Sequence, residues 1–209
     1  NRMLAVGMDD THKVAWGFWR DITNRAADEK GPISGGLASV AASPDCGTLI
    51  VGTGKELTRL AIDGNSTTLH PVSIRQYFSG HALSNVSAVA ASPRRGTFAW
   101  ATLGGQIFVH HSGSQNPTGK IDLGYPSIQS MAFSPNGHIL ASGLADGRLS
   151  IWEVVGSGKH YTRQLGDFAV TAIAFFPDNK TVVAGDRAGK IHILDLSEDR
   201  NSLADAHFH

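Results

Sequence analysis

Two glycine–lysine loops, ten histidines and one cysteine are the residues of this 209-residue chain whose types could carry chemistry. Val155-Gly156-Ser157-Gly158-Lys159 has the glycines of a phosphate cradle. Such a loop needs another glycine, separated by four residues from its Gly-Lys pair, and a Ser or Thr after it. Glu153 and His160 stand at those places, and no helical pattern follows to offer its N-terminus to a phosphate. Gly52-Thr53-Gly54-Lys55 fails in the same way, because it sits on a hairpin pattern. His110 and His111 are adjacent on a strand pattern, so they project to opposite faces and do not share an ion. His207 and His209 fall in a polar tail. Cys46 has no second cysteine to pair with and lies in the turn Pro44-Asp45-Cys46-Gly47. No Gly-x-Ser-x-Gly elbow occurs, and the carboxylates are scattered. These patterns predict no catalytic residue, no metal site and no cofactor, and therefore a protein that is not an enzyme.

Composition narrows the remaining classes. Eighteen Lys and Arg balance eighteen Asp and Glu, leaving no basic surplus with which to neutralise a phosphate backbone, so no nucleic-acid partner is expected. No apolar run approaches the length of a membrane-spanning helix, and no membrane partner is expected. Hydrophobic residues make up 41% of the chain, too many for a disordered segment. Three Asn-x-Ser/Thr sequons, at Asn65, Asn85 and Asn179, carry little weight in a chain that shows no signal-peptide pattern.

The elements that would position any site come from an internal repeat. Four stretches, starting at Ser39, Ser87, Gln129 and Thr171, read alike: a small-apolar run, a proline, a turn, then two β-rich runs around a second turn. Their prolines, Pro44, Pro93, Pro135 and Pro177, are spaced by 49, 42 and 42 residues. Apolar residues alternate with period two inside each unit, which is the strand signal. Proline presets φ for the turn that follows each first strand. Candidate fourth strands are Thr67 to Ile74, Gly119 to Leu123 and Tyr161 to Leu165. Only Asp21 to Glu29 holds helix-tolerant residues, without a clean apolar stripe. A four-stranded antiparallel meander of about 42 residues is the size of one propeller blade. The reading is an all-β chain: a partial blade over 1–30, blades over about 35–75, 84–124, 127–166 and 169–200, and a polar tail over 201–209.

Met131 to Val154, MAFSPNGHILASGLADGRLSIWEV, resembles the blade of the WD-repeat (WD40) β-propeller family. Phe-Ser-Pro, Asn-Gly, Ala-Ser-Gly, Asp-Gly and a closing Trp152-Glu153 stand where the family has its strand ends, turns and Trp-Asp. Leu194-Asp195 takes the last position in the next unit, His110-His111 departs from it, and Gly80-His81 matches the family's Gly-His. The resemblance implies a hydrogen-bonded tetrad that stiffens the blade. Ser142, Asp146 and Trp152 match three of its members and His81, in another unit, the fourth. It also implies a non-catalytic scaffold for protein or peptide binding, within a larger protein, in the cytoplasm or nucleus. The blades needed to complete a ring are then expected in the same chain or from another chain.

Function in such a scaffold lies on the face where hairpins and blade-connecting loops emerge. Tyr77 and Phe78 form an aromatic pair in one such loop, the residue type that anchors interfaces. His12, Arg148 and Arg187 stand in hairpins of the same face and complete the candidate partner-binding set. The alternatives are an enzymatic or small-ligand propeller with residues converging on the axis, and a regulatory or sensor propeller fused to a signalling module.

Overall fold

The computed structural model describes residues 3–8, 14–19, 27–33, 39–43, 48–54, 56–63, 66–72, 85–94, 96–111, 114, 116–124 and 126–197, with the backbone alone at 3–33, 48 and 60–72. His12, Cys46, Tyr77, Phe78, His81 and the tail 201–209 lie outside these residues.

The described residues are all-β and form five antiparallel sheets of sequential strands. The first sheet holds β1 (Met3–Met8), β2 (Val14–Trp19) and β3 (Ala27–Ile33). Blade one follows, from β4 (Ser39–Ala42), β5 (Thr48–Thr53), β6 (Glu56–Asp63) and β7 (Ser66–Val72). Blade two is β8 (Val86–Ala91), β9 (Thr97–Thr102), β10 (Gln106–His111) and β11 (Gly119–Asp122). Blade three is β12 (Ile128–Phe133), β13 (Ile139–Leu144), β14 (Arg148–Glu153) and β15 (His160–Gln164). Blade four has three described strands, β16 (Val170–Phe175), β17 (Thr181–Asp186) and β18 (Ile191–Asp195). Where the helix-tolerant stretch Asp21 to Glu29 overlaps the described residues, from Ala27, it is strand. Pairing with β2 there overrides a weak local preference.

Both faces of the central strands of blades two and three are packed, which is why β13 is buried along its whole length although its residues alternate sides. The small face of blade two, Ala88, Ala90, Ala99 and Ala101 with Ile107 and Val109, forms one core with Leu140, Leu144 and Trp152 of blade three. The next core repeats the arrangement: Ala141, Leu149 and Ile151 of blade three join Val182 and Leu194 of blade four. Small residues on one sheet receive large ones from the next, and each buried Leu or Ile contributes about 1.5–3 kcal/mol. Gly119 shows how tight the fit is: a Cβ there would sit 2.9 Å from the Trp152 ring.

The first strands of blades two to four share a bulge, where the pairing skips Ser87, Gln129 and Thr171. On the opposite side from the bulges, the turns that follow the prolines brace one another. The aliphatic stem of Arg94 lies over Gly137, whose φ is +68°, so that a Cβ would meet Arg94 Cγ and Ser92 Oγ at 2.6 Å. In turn, the Asn136 backbone N–H donates to Asn179 Oδ1 at 2.7 Å. Asn179 holds a left-handed conformation, φ 61°, tolerable for Asn.

Candidate interaction face

The hairpins between second and third strands and the loops entering each blade emerge on one side, because hydrogen bonds tie them together. Leu123 N–H donates to Gly105 O and Leu165 N–H to Gly147 O, both at 3.0 Å. Arg187 N–H donates to Ala169 O at 2.9 Å. Gly105 and Gly147 have φ +79° and +85° and lie directly under the carbonyls of Gly124 and Gly166. The loops therefore rest on the hairpins, and their side chains form the rim.

Two predicted rim residues are described. Arg148 donates its Nε–H to Asp146 Oδ2 at 2.6 Å, and both side chains are about one-third exposed. Arg187 is exposed at the hairpin of blade four. Beside its backbone partner Ala169 stands Phe168, 54% exposed, and Leu103 adds a further apolar group on the hairpin of blade two. The sequence pattern singled out Tyr77 and Phe78 as the aromatics of this face and not Phe168. Phe168 is an aromatic beside an arginine on a rim, the composition typical of binding hot spots.

The tetrad-like residues are placed as follows. Ser142 is 1% exposed within β13, opposite Met131 and Ser150. Trp152 is 7% exposed, opposite Leu140, with its ring against Gly119 of blade two. Asp146 accepts from the Arg148 backbone N–H and guanidinium.

Residues 119–153 and 159–195, the end of blade two with blade three and then blade four, match the WD domain, G-beta repeat family. Those two stretches are WD repeats. It is also 27% identical over 121 residues to autophagy-related protein 18 of the yeast Meyerozyma guilliermondii, an alignment that covers 56% of this chain and 20% of that protein. The chain thus spans about a fifth of that curated relative.

Within these WD repeats, a buried polar pair stands in blade four that the motif reading missed. Asp186 and His192 occupy the positions taken by Leu144 and Ser150 one repeat earlier. His192 Nε2 and Asp186 Oδ2 are 3.0 Å apart, with side chains 11% and 4% exposed. The second carboxylate oxygen accepts the backbone N–H groups of Ala188 and Lys190 at 2.9 and 3.0 Å. The hydrogen bond from His192, followed by that from Lys190 N–H, holds the Asp186 carboxyl below its usual range. Its sequence signal is an acidic residue where blade three has Leu144 and blade two has Thr102.

In blade two, His110 is 8% exposed and stacks on Phe98 at 5.0 Å, while His111 is exposed and bonds Thr97. Burial, then the nearby charges of Arg59 and His111, pushes the His110 imidazole below its ordinary value. The phosphate-loop look-alike is an exposed connection between β14 and β15, in which Ser157 Oγ donates to Glu153 Oε2 at 2.6 Å. Among the described residues no group of three His, Cys, Asp or Glu is placed to hold a metal.

Proposed function

We propose that this chain is a non-catalytic scaffold that binds a protein or peptide through the rim where hairpins and blade-connecting loops meet. WD repeats generally mediate protein interactions, which supports the class of partner. The observation that carries the choice of surface is Phe168, half exposed on a loop pinned to the hairpins of two blades, with Arg187 beside it and the Asp146–Arg148 pair on the neighbouring hairpin. A rigidly held aromatic loses little conformational entropy on binding, so its burial converts efficiently into affinity. Tyr77, Phe78 and His12 extend the proposed surface on the strength of the sequence pattern. A cytoplasmic or nuclear location accompanies this reading, and imaging of a tagged chain tests it.

The decisive experiment is affinity capture with Phe168→Ala and Arg187→Glu chains alongside wild type. Partners bound by wild type should be lost from both variants while their melting temperatures stay unchanged. Identical partner sets for all three chains would remove this rim from consideration. Substitution of Tyr77 and Phe78 by Ala tests the extension separately.

A further inference from the structure

The last strands of the first four sheets, β3, β7, β11 and β15, each have one edge that no other described strand pairs with. Such an edge is a row of free N–H and C=O groups, a template for another chain, and proline or short length blunts it. Pro32 stands in β3 and Pro71 in β7, while β11 is four residues long and begins at Gly119. Strand β15, His160-Tyr161-Thr162-Arg163-Gln164, has neither proline nor glycine and holds the strand formers Tyr and Thr. All its side chains but Tyr161 are exposed. Its blade has a described neighbour on both sides. Trp152 joins it to the core of blade two, and Ser130 Oγ donates to Val170 O of blade four at 3.0 Å.

The ladder shows which groups this edge offers. Glu153 N–H donates to Lys159 O at 2.8 Å, and Leu165 N–H to Gly147 O at 3.0 Å. Leu149 lies opposite Arg163 and Ile151 opposite Tyr161, so the backbone groups of 159, 161, 163 and 165 turn toward β14. Those of His160, Thr162 and Gln164 turn away from it. An antiparallel partner with the same sequence matches this row. About a two-fold axis at Thr162, Thr162 meets Thr162 of the second copy and His160 meets Gln164, and each pair exchanges both backbone hydrogen bonds. Between them Tyr161 meets Arg163, a guanidinium against an aromatic ring, and the threonine pair is itself favourable. Lys159 falls opposite Leu165, so no like charges are opposed. A slip of one residue would set outward groups against inward ones.

We propose that β15 pairs antiparallel with the β15 of a second copy of this chain, joining the two third blades into one continuous sheet. The contact uses the same surface on both copies, so it closes at two. It is independent of the rim proposed above, which is built from hairpins and loops.

Sedimentation velocity of the whole chain over a concentration series tests this, with amide hydrogen exchange read at its dilute and concentrated ends. Wild type should pass from one copy to two and stop there, and the amides of His160, Thr162 and Gln164 should exchange more slowly at the concentrated end. Thr162→Pro should stay a single copy with an unchanged circular dichroism spectrum, because the N–H it removes points away from β14. Thr162→Glu and Thr162→Lys should each pair more weakly than wild type, by roughly two- to fivefold, since like charges then meet across the axis. An equal mixture of the two should favour the mixed dimer over either alone. If Thr162→Pro does not fold, the charge pair decides. A wild type that stays a single copy or grows past two, a folded Thr162→Pro that still pairs, or a mixture without preference for the mixed dimer overturns the proposal.

Discussion

Replacing Gly147 and Gly189 separately by alanine isolates the contribution of the loops that rest on the hairpins. Both glycines end the second-to-third-strand hairpin of their blade, and both have left-handed φ, +85° and +81°. Alanine therefore suffers the same backbone penalty at each, about 1–2 kcal/mol. Part of that is offset because alanine also restricts the unfolded chain, by about 0.4–1 kcal/mol. The surroundings differ. A Cβ on Gly147 would overlap the Gly166 carbonyl oxygen and sit 2.8 Å from its carbon, whereas a Cβ on Gly189 has nothing within 4 Å. The first demands a backbone shift, which costs a further 1–3 kcal/mol, roughly. It also strains the bond from Leu165 N–H to Gly147 O. Gly189→Ala should then cost about 1 kcal/mol and Gly147→Ala about 3 kcal/mol. At about 2–4 °C per kcal/mol for a domain of this size, the drops in melting temperature are about 2–4 °C and 6–12 °C. Differential scanning calorimetry of the two variants and wild type measures both. Equal shifts would refute the claim that the loop rests on the hairpin, and with it the rigid placement of Phe168.

Two further predictions concern protonation. The imidazole of His110 is held below its ordinary value of 6.5 by burial, so on acidification the unfolded chain takes up a proton before the folded one does. Stability should therefore fall as pH drops through the ordinary value of 6.5 toward the lower folded value, and urea midpoints of His110→Phe, which keeps a ring against Phe98, should fall less over that interval. Asp186 has the opposite chemistry but the same sign. Its carboxyl is depressed, so its contribution is present above the unfolded value near 3.8 and is lost as pH falls through the folded value. Asp186→Asn should be less stable than wild type at neutral pH, with the gap narrowing in acid. A gap independent of pH would assign the effect to packing alone.

Much of the architecture is legible in the residues because each unit repeats the same physical solution. Prolines and glycines fix turns, alternation fixes strands, and the 42-residue spacing of Pro93, Pro135 and Pro177 carries the register from blade to blade. The bulges at Ser87, Gln129 and Thr171 are less visible, since no Gly or Pro marks them and they arise from pairing between strands. Strand β3 was hidden for a related reason: Ala27 to Lys30 has no strand-forming residue, and only its partner β2 makes it one. The site was harder to read. Asp146 and Arg148 were found as hairpin residues, but their engagement with each other depends on side-chain geometry. Asp186 escaped because the motif places its aspartate two residues later, where blade four has Ala188. Phe168 is prominent because the loop beneath it is pinned, and no composition rule reports that.

The braced turns on the opposite side divide the chain's connections into two kinds. Arg94 leaning on Gly137, and Asn136 bonded to Asn179, make each of these turns a rung shared by two blades, so lengthening one by a residue shears its neighbour as well. The segment Val155 to Lys159, on that same side, is exposed and ends where β15 begins. It belongs to one blade alone. Insertions, fluorescent labels or a graft of foreign sequence have room there, while the braced proline turns do not. The architecture thus separates the places where this protein can acquire new sequence from the places where a change in one blade is felt by the next.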